Sequence, residues 1–448
     1  MHQHSLRTLN IKIYFENPQD KQSPKALVFG QVAKDKQVKQ HLVNHHALSR
    51  ATFRNLVIRS IIFLAKSITI KPQLIPQKEK NGFVLKKTQL PPDGENQSCN
   101  CMGKTFKSNI AKILLLIIIL YSVSLSILLF KNYQSLNLSE PQFGTYRSDE
   151  MIFLKTYYLV KSGHNYYDSF PKAAANDYAN IKLDPDIFTW RLPTVFYFWQ
   201  LAQNGYQILT LYWTLTILFF ISIYLIIKKL YNSNTGLLAV VLVLPYFAGN
   251  LSYKTSFLFV EWWALFFFTF GLTFFFYKKL PVAWVLLLLA LATRELMTIP
   301  IFSLLILSVL LKKNRIFFIA LILFSLIIFA IHSHVVLSRF LDVQQTSTIF
   351  SRLHAPDKQS FLTMISFSMQ NYPLTKYRVN LLLIVLAFVS LVINIKKKGD
   401  KGIYYFLAPW SIFLTFPFIT SSFYNDYWGI LFMPLLISTI PVVWKIKT

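Results

Sequence analysis

Two adjacent carboxylic acids, Asp149 and Glu150, stand at a position suited to acid–base chemistry, shortly after the first long apolar run of the chain. Ser148 before them is a good N-cap and Gly163 is a good C-terminal stop, so the pattern predicts a helix between these residues. Three apolar side chains fall on one face of that helix: Met151, Leu154 and Tyr158. We therefore expect an amphipathic helix along the outer surface of a membrane, with both acids in its first turn.

In this arrangement Asp149 and Glu150 lie at the level of the lipid headgroups. A carboxylate there can act as a general base on an acceptor hydroxyl while a lipid-borne phosphate leaves. Acidic residues at a helix start also complement the helix dipole without taking part in any reaction. The local pattern by itself is compatible with both interpretations.

A second ionisable pair, Arg294-Glu295, interrupts the otherwise apolar stretch 281–311. Charged side chains at membrane depth are energetically unfavourable, so such a pair is a candidate for function. The planar guanidinium of Arg294 suits bidentate contacts to phosphate, and we interpret it as a phosphate clamp. The alternative is a structural ion pair that closes a hairpin.

Glu261 begins an aromatic-rich segment, 257–276, beside Trp262 and Trp263. Its carboxylate is able to hydrogen-bond a sugar or to hold a cation. A lone carboxylate at a helix end is more often solvated or paired with a neighbour such as Lys254, and we favour this second interpretation.

The sequence predicts no cofactor. His164, His332 and His334 lack a third close ligand, so ligand spacing does not support a divalent cation. Only two cysteines occur, Cys99 and Cys101, which excludes a disulfide framework and a four-cysteine zinc site. The chain also lacks a glycine-rich phosphate loop, a nucleotide fingerprint and a Ser-His-Asp order. An enzyme that used a cytoplasmic sugar nucleotide would need a nucleotide-binding domain, whereas a lipid-linked donor needs none.

The composition indicates a membrane protein, because 54% hydrophobic and 16% aromatic residues are too many for an ordinary soluble domain. A formal charge of +27 over 448 residues is compatible with a nucleic-acid partner, but the cations lie in the first hundred residues or beside apolar runs. That distribution is typical of membrane topology, and we expect membrane lipids and no nucleic acid as partners.

Apolar runs long enough to cross a hydrocarbon core of about 30 Å lie at 110–130, 208–227, 256–277, 315–333, 379–395, 403–420 and 428–444. Shorter candidates lie at 236–249, 281–293 and 298–311. Together they predict an all-α polytopic fold of about ten transmembrane helices. A single straight helix over 281–311 would overshoot the membrane, so we expect two crossings with Arg294 and Glu295 at the outer turn.

Short basic clusters follow alternate apolar runs and define the orientation through the positive-inside rule. They are Lys228-Lys229, Lys278-Lys279, Lys312-Lys313, Lys396-Lys397-Lys398, and Lys445 with Lys447. Both termini are therefore expected in the cytoplasm. Beyond position 131 only Asp400 among the acidic residues falls on that side, and the long loops 131–207 and 334–378 are outer. A chemical site would face outward.

The segment 1–107 is basic and turn-rich, which predicts a poorly structured N-terminal extension. Residues 102–112 look like the start of a bacterial membrane protein, a short basic leader before an apolar run. The preceding residues are either an over-extended reading frame or, around 56–70, an amphipathic piece on the membrane surface. Residues 108–448 are expected to form the transmembrane domain in a bacterial inner (plasma) membrane.

The first outer loop resembles a known family. An acidic pair at the start of a juxtamembrane helix, followed by Gly163-His164-Asn165-Tyr166-Tyr167, is similar to the first outer loop of the GT-C superfamily of membrane glycosyltransferases. That superfamily includes protein mannosyltransferases and aminoarabinose transferases. The resemblance covers the layout of residues 108–320 and the residue pattern of the first loop. The chain departs at Tyr166, where many members have Pro, and at Arg191-Leu192-Pro193, where a Pro-Pro-Leu-like stretch would stand.

The resemblance implies an enzyme that takes a sugar from a polyprenyl-phosphate donor at the extracytoplasmic face. It would pass that sugar, with inversion, to a glycan, lipid or protein acceptor of the cell envelope. Asp149 would be the general base and Glu150 a neighbouring acidic group. The other expected substrate-binding residues are Arg191, Glu261, Arg294 and Glu295, with His164, Tyr167 and Asp168 in the loop.

Two other functions are weighed against this one. An outer-face polysaccharide polymerase or ligase would also act on lipid-linked glycans, and it would depend on essential arginines without an essential loop Asp. A transporter or flippase would show paired internal repeats and broken helices near the midplane. The halves of this chain show no obvious repeat, and its acids gather at one surface.

Overall fold

In the computed structural model, the residues described are 138, 149–177, 190–250, 255–339, 377–398, 400–419 and 423–447. Within these ranges the regular elements are all helical and none is a strand, so the predicted all-α class is confirmed for them. The segment 1–107, the apolar run 110–130, Ser148 and most of the loop 334–378 lie outside the described residues.

The helices follow the apolar runs of the sequence. In chain order the α-helices are α1 (Asp149–Lys161), α2 (Tyr166–Asp177), α3 (Thr194–Trp199), α4 (Gly205–Leu230), α5 (Ser233–Asn250), α6 (Val260–Phe276), α7 (Leu280–Thr293), α8 (Thr298–Leu310), α9 (Arg315–Leu337), α10 (Tyr377–Lys398), α11 (Asp400–Ile419) and α12 (Met433–Thr439). Short 3-10 helices span Ser256–Leu258, Glu295–Met297, Phe423–Leu431 and Ile440–Lys447. Each predicted apolar run from residue 208 onward coincides with helix.

Three helical stretches of the described chain are long and apolar enough to cross a membrane: α4, α9 and Gly402–Ile419 of α11. The other predicted runs from residue 208 onward form apolar helices that are shorter. The helices also carry apolar side chains on the outside of the bundle, and α9 exposes Leu323, Phe324, Leu326, Ile327 and Ile331. A soluble monomer rarely exposes a continuous apolar surface of this kind, so lipid is its natural surrounding. The chain is a helical membrane protein.

As predicted, the stretch 281–311 is broken into two helices. Helix α7 ends at Thr293, because Arg294 has an extended backbone with φ −146° and ψ 117°. One 3-10 turn follows, and α8 begins at Thr298. Both α7 and α8 pack against α9. The break puts Arg294 and Glu295 between two apolar helices.

Helix α1 differs from its prediction. It ends at Lys161, two residues before Gly163, whose φ of +99° favours glycine, so the predicted C-terminal stop is confirmed; the predicted N-cap Ser148 lies outside the described residues. The prediction of an amphipathic surface helix is wrong, because the side chains from Glu150 to Tyr157 are buried on every face of α1. Neighbouring helices α2 and α3 and the turn Ser256–Leu258 pack around α1 and cover it.

The two most closely packed helices, α6 and α7, meet at Gly271. A Cβ atom added there would lie 2.7 Å from Leu287 Cγ and 3.1 Å from the Leu287 backbone nitrogen. We expect Gly271→Val to lower the free energy of unfolding by about 1–3 kcal/mol through overpacking. Thermal unfolding in detergent measures the change. Adding Leu287→Ala should restore part of the loss, and a Gly271→Val protein as stable as the wild type would show that the interface gives way easily.

Candidate active site

Tyr427 joins the first outer loop to the end of the chain. Its hydroxyl accepts a hydrogen bond from Arg191 Nη2 at 2.9 Å and donates one to Asp149 Oδ2 at 3.4 Å. The ring stacks on Phe259 with centroids 4.5 Å apart and planes 6° apart. A buried phenol therefore holds a predicted base and a predicted substrate-binding arginine in one hydrogen-bonded chain.

The local sequence positions Arg191. Asn165 opens α2, and its Oδ1 accepts a hydrogen bond from the Tyr167 backbone nitrogen at 2.9 Å. The neighbouring Tyr166 hydroxyl donates to the Arg191 carbonyl oxygen. The residues that carry the family resemblance thus hold the backbone that presents the Arg191 side chain to Tyr427.

The electrostatic surroundings keep Arg191 charged and Tyr427 neutral. Burial lowers the pKa of the Arg191 guanidinium, but Tyr427 and the nearby carboxylates outweigh burial and raise that pKa above its ordinary value. Burial also raises the pKa of the Tyr427 hydroxyl, and Arg191 only partly offsets the rise. Tyr427 therefore keeps its proton at physiological pH and can donate to the Asp149 carboxylate.

Arg294 lies between two carboxylates. Its Nε is 2.8 Å from Glu261 Oε1, and its Nη1 pairs with Glu295 Oε1. Arg294 is 1% exposed and Glu261 is fully buried, whereas the Glu295 side chain is 12% exposed. The guanidinium carbon also lies 5.2 Å from the centroid of the Trp428 ring.

The favoured interpretation of Glu261 was a carboxylate that is solvated or paired with a neighbour. The solvated alternative is wrong, because Glu261 is fully buried, and the carboxylate is paired with Arg294. The close packing of α6 on α7 brings the first turn of α6 to the last residues of α7, so Glu261 meets Arg294. Lys254, the proposed neighbour, lies outside the described residues. The alternative interpretation of Arg294 and Glu295 as an ion pair agrees with the structure, because the pair forms. Glu261 joins it, so the cluster has three residues.

The two groups of charges form one site. Glu261 interacts electrostatically with both Arg191 and Tyr427, and Tyr427 is adjacent to Trp428. Among the described residues, three carboxylates (Asp149, Glu261 and Glu295) and two guanidinium groups (Arg191 and Arg294) carry one formal negative charge between them. Such a site offers an acceptor for a proton and cations for a developing phosphate charge.

An apolar cavity of about 310 Å³ opens beside this cluster. Arg294 and Glu295 are its charged lining residues, and most of its wall is aliphatic. Leu192 and Trp428, which also line it, are the chain neighbours of Arg191 and Tyr427. Leu326 lines the cavity and is 55% exposed on α9, so the cavity lies close to the outer surface of the bundle.

The two adjacent acids have different environments. Asp149 is partly exposed, whereas Glu150 is 4% exposed. A general base must reach its substrate. The predicted pair therefore offers one accessible carboxylate, that of Asp149.

The other predicted loop residues lie in different contacts. His164 is exposed in the turn after α1, where its Nδ1 is 2.9 Å from Ser162 Oγ. The Tyr167 hydroxyl is 3.0 Å from His332 Nδ1. Asp168 forms an exposed ion pair with Arg339. The last two contacts tie the start of α2 to the end of α9, and none of the three contacts involves the Tyr427 cluster.

Tyr427 and Trp428 were not predicted. The available signal was the polar and aromatic interruption Tyr424-Asn425-Asp426-Tyr427 between the apolar runs 403–420 and 428–444. In the described part of the chain, no group of three or more His, Cys, Asp or Glu side chains is arranged to hold a metal ion.

No protein-family model, curated protein or solved structure matches this chain. The fold itself defines the class, a helical membrane protein with a buried charged cluster beside an apolar cavity.

Proposed function

We propose that the chain is a membrane glycosyltransferase that moves a sugar from a polyprenyl-phosphate donor to an acceptor at the extracytoplasmic face. One observation carries the proposal: the buried Arg294 guanidinium lines an apolar cavity, and Leu192 and Trp428 in the cavity wall adjoin the hydrogen-bonded chain of Arg191, Tyr427 and Asp149. A lipid-linked sugar phosphate has the matching parts, which are an apolar chain, a phosphate and a reactive anomeric carbon.

The proposed reaction is a single displacement. The acceptor hydroxyl gives its proton to Asp149 while its oxygen attacks the anomeric carbon. The bond from that carbon to the phosphate oxygen breaks, and the electron pair leaves with the phosphate. One base and no covalent intermediate give inversion at the anomeric carbon.

The arginines supply charge to this reaction. A leaving phosphate gains negative charge, and Arg294, which lines the cavity, is the predicted cation for it. Arg191 acts through the Tyr427 hydroxyl, which donates to Asp149 and orients it. The donor lipid enters from the bilayer past α9, so no soluble nucleotide-binding domain is required.

The proposed topology follows from the charge pattern. The described helices, with the predicted run 110–130, correspond to about ten crossings, although some of the helices are short for a complete span. The break at Arg294 is then an outer turn, and both termini lie in the cytoplasm of a bacterial cell.

Transfer of labelled sugar from a panel of donors tests this function. Membranes that contain the protein should use polyprenyl-phosphate sugars and should not use sugar nucleotides, with membranes from cells lacking the gene as the control. Elongation of lipid-linked glycans that needs Arg191 and Arg294 but not Asp149 would instead indicate a polymerase or ligase. Uptake or flipping without transfer would indicate a transporter.

Replacing Tyr427 by Phe should slow transfer by about 10- to 100-fold, because hydrogen bonds to charged groups contribute about 1.5–3 kcal/mol. The phenyl ring keeps the stacking on Phe259, so the fold should persist. Initial rates in proteoliposomes at saturating donor measure the effect.

Tyr405→Phe is the matched control for that experiment. It also removes a buried tyrosine hydroxyl, one that is 2.7 Å from Ser438 Oγ in the helical core. Its transfer rate should equal that of the wild type. An equal loss of rate in both variants would mean that Tyr427 contributes only to stability.

A further inference from the structure

The two carboxylates on Arg294 are not equivalent. Glu261 is fully buried, lies at the Nε edge of the guanidinium and does not line the cavity. Glu295 pairs with Nη1, keeps 12% of its side chain exposed and lines the cavity. Glu295, which pairs with Nη1, therefore lies on the cavity side of Arg294, and Glu261 does not.

A carboxylate and a phosphate compete for the same donors. Both accept hydrogen bonds from the planar fork of arginine, often through two parallel contacts. A buried guanidinium needs a counter-charge, since an isolated buried ion is strongly unfavourable. Glu295 supplies one at the cavity edge when no anion is present there.

The charges at Arg294 favour replacement of Glu295 by a phosphate over binding of a phosphate beside Glu295. Arg294 already pairs with two carboxylates, so these three side chains carry one formal negative charge. A phosphodiester that joined it while Glu295 stayed in place would bring like charges together at Arg294. Glu295 begins a 3-10 turn of only three residues between α7 and α8, so its side chain can move without shifting a helix axis.

The rest of the Arg294 contacts stay fixed during such an exchange. Glu261 is held in the first turn of α6, and the Trp428 ring lies against the guanidinium. The guanidinium therefore keeps its position, and only the anion at its Nη edge changes.

We propose that Glu295 is a placeholder carboxylate, which occupies the phosphate position on Arg294 while the cavity is empty and is displaced by the phosphate of an isoprenoid lipid. The proposal rests on the proposed function for the identity of the lipid. It makes Glu295 a residue that sets donor affinity, distinct from the base and from Arg294 itself.

Binding of farnesyl phosphate to the full chain in nanodiscs tests the exchange, with farnesol as the probe that lacks the phosphate. Glu295→Gln should bind farnesyl phosphate about tenfold more tightly than the wild type, because a neutral amide competes poorly for Arg294. Farnesol should bind both proteins equally. Glu295→Asp, with a shorter side chain, should tighten farnesyl phosphate binding to a smaller degree and serves if the Gln variant does not fold.

Asp149→Asn is the charge-matched control. It removes one negative charge from the same cluster, and no contact joins Asp149 to Arg294 among the described interactions. Its effect on farnesyl phosphate binding should be well below tenfold. Equal tightening by Asp149→Asn and Glu295→Gln would overturn displacement in favour of a general charge effect. Unchanged or weaker binding by Glu295→Gln and Glu295→Asp would also overturn it.

The outcomes separate this proposal from the proposed function. Sugar transfer by the wild type without tighter farnesyl phosphate binding by Glu295→Gln would leave the glycosyltransferase standing and remove the placeholder. Tighter binding by Glu295→Gln in a protein that uses no sugar donor would support the placeholder and overturn the glycosyltransferase.

Discussion

Asp149→Asn should lower the rate of sugar transfer by about 10²- to 10⁴-fold, which is the usual contribution of a general base. The amide has nearly the same shape and can still accept a hydrogen bond from Tyr427, so the local fold should persist. It cannot take the proton of the acceptor hydroxyl. Initial rates in membranes with equal amounts of protein measure the loss.

Two further variants test whether the lower rate comes from the loss of the carboxylate at position 149. Asp149→Glu keeps a carboxylate and should retain more activity than Asp149→Asn, although the longer side chain displaces the base. Asp400→Asn makes the same chemical change at the first residue of α11, on the predicted cytoplasmic side, and should transfer sugar like the wild type. Full activity of Asp149→Asn would reduce Asp149 to a helix-start acid that complements the dipole of α1.

Glu261→Ala should lower the free energy of unfolding by about 3–5 kcal/mol, the range for breaking a buried ion pair by removing one partner. The reason is that Arg294 is 1% exposed and would lose the carboxylate 2.8 Å from its Nε. Thermal unfolding in a mild detergent, followed by the exposure of buried tryptophans, measures the change.

The exposed ion pair of Asp168 with Arg339 is the matched control for Glu261→Ala. Asp168→Ala should change the free energy of unfolding by less than about 1 kcal/mol, because water already solvates both charges of the Asp168–Arg339 pair. Removing both buried charges in Glu261→Met/Arg294→Met should recover much of the stability lost in Glu261→Ala. A Glu261→Ala protein as stable as the wild type would mean that Glu295 alone neutralises Arg294.

Several elements were predictable because they depend on local physics. Backbone groups in a bilayer must satisfy one another within a helix, so apolar runs became helices from residue 208 onward. Two charged residues inside the stretch 281–311 predicted the break that occurs at Arg294. Gly163 predicted the end of α1 because glycine adopts a positive φ without strain.

The contacts of the site were not predictable in the same way. Glu261 and Arg294 are 33 positions apart in the sequence, and Tyr427 reaches Arg191 and Asp149 from the other end of the chain. Hydropathy and helical period describe one segment at a time, and they do not say which helix ends become neighbours. For this reason Glu261 was interpreted as solvated or paired with a near neighbour such as Lys254, and Tyr427 was missed.

The sequence by itself determined that this is a helical membrane protein, where its apolar helices lie, and that Asp149 and Arg294 are candidates for chemistry. The tertiary structure alone decided which charges face each other, that Asp149 is accessible while Glu150 is buried, and that Arg294 lines a cavity. Burial and pairing depend on how helices from distant parts of the chain pack together. Local composition fixes the helices, and packing fixes the site.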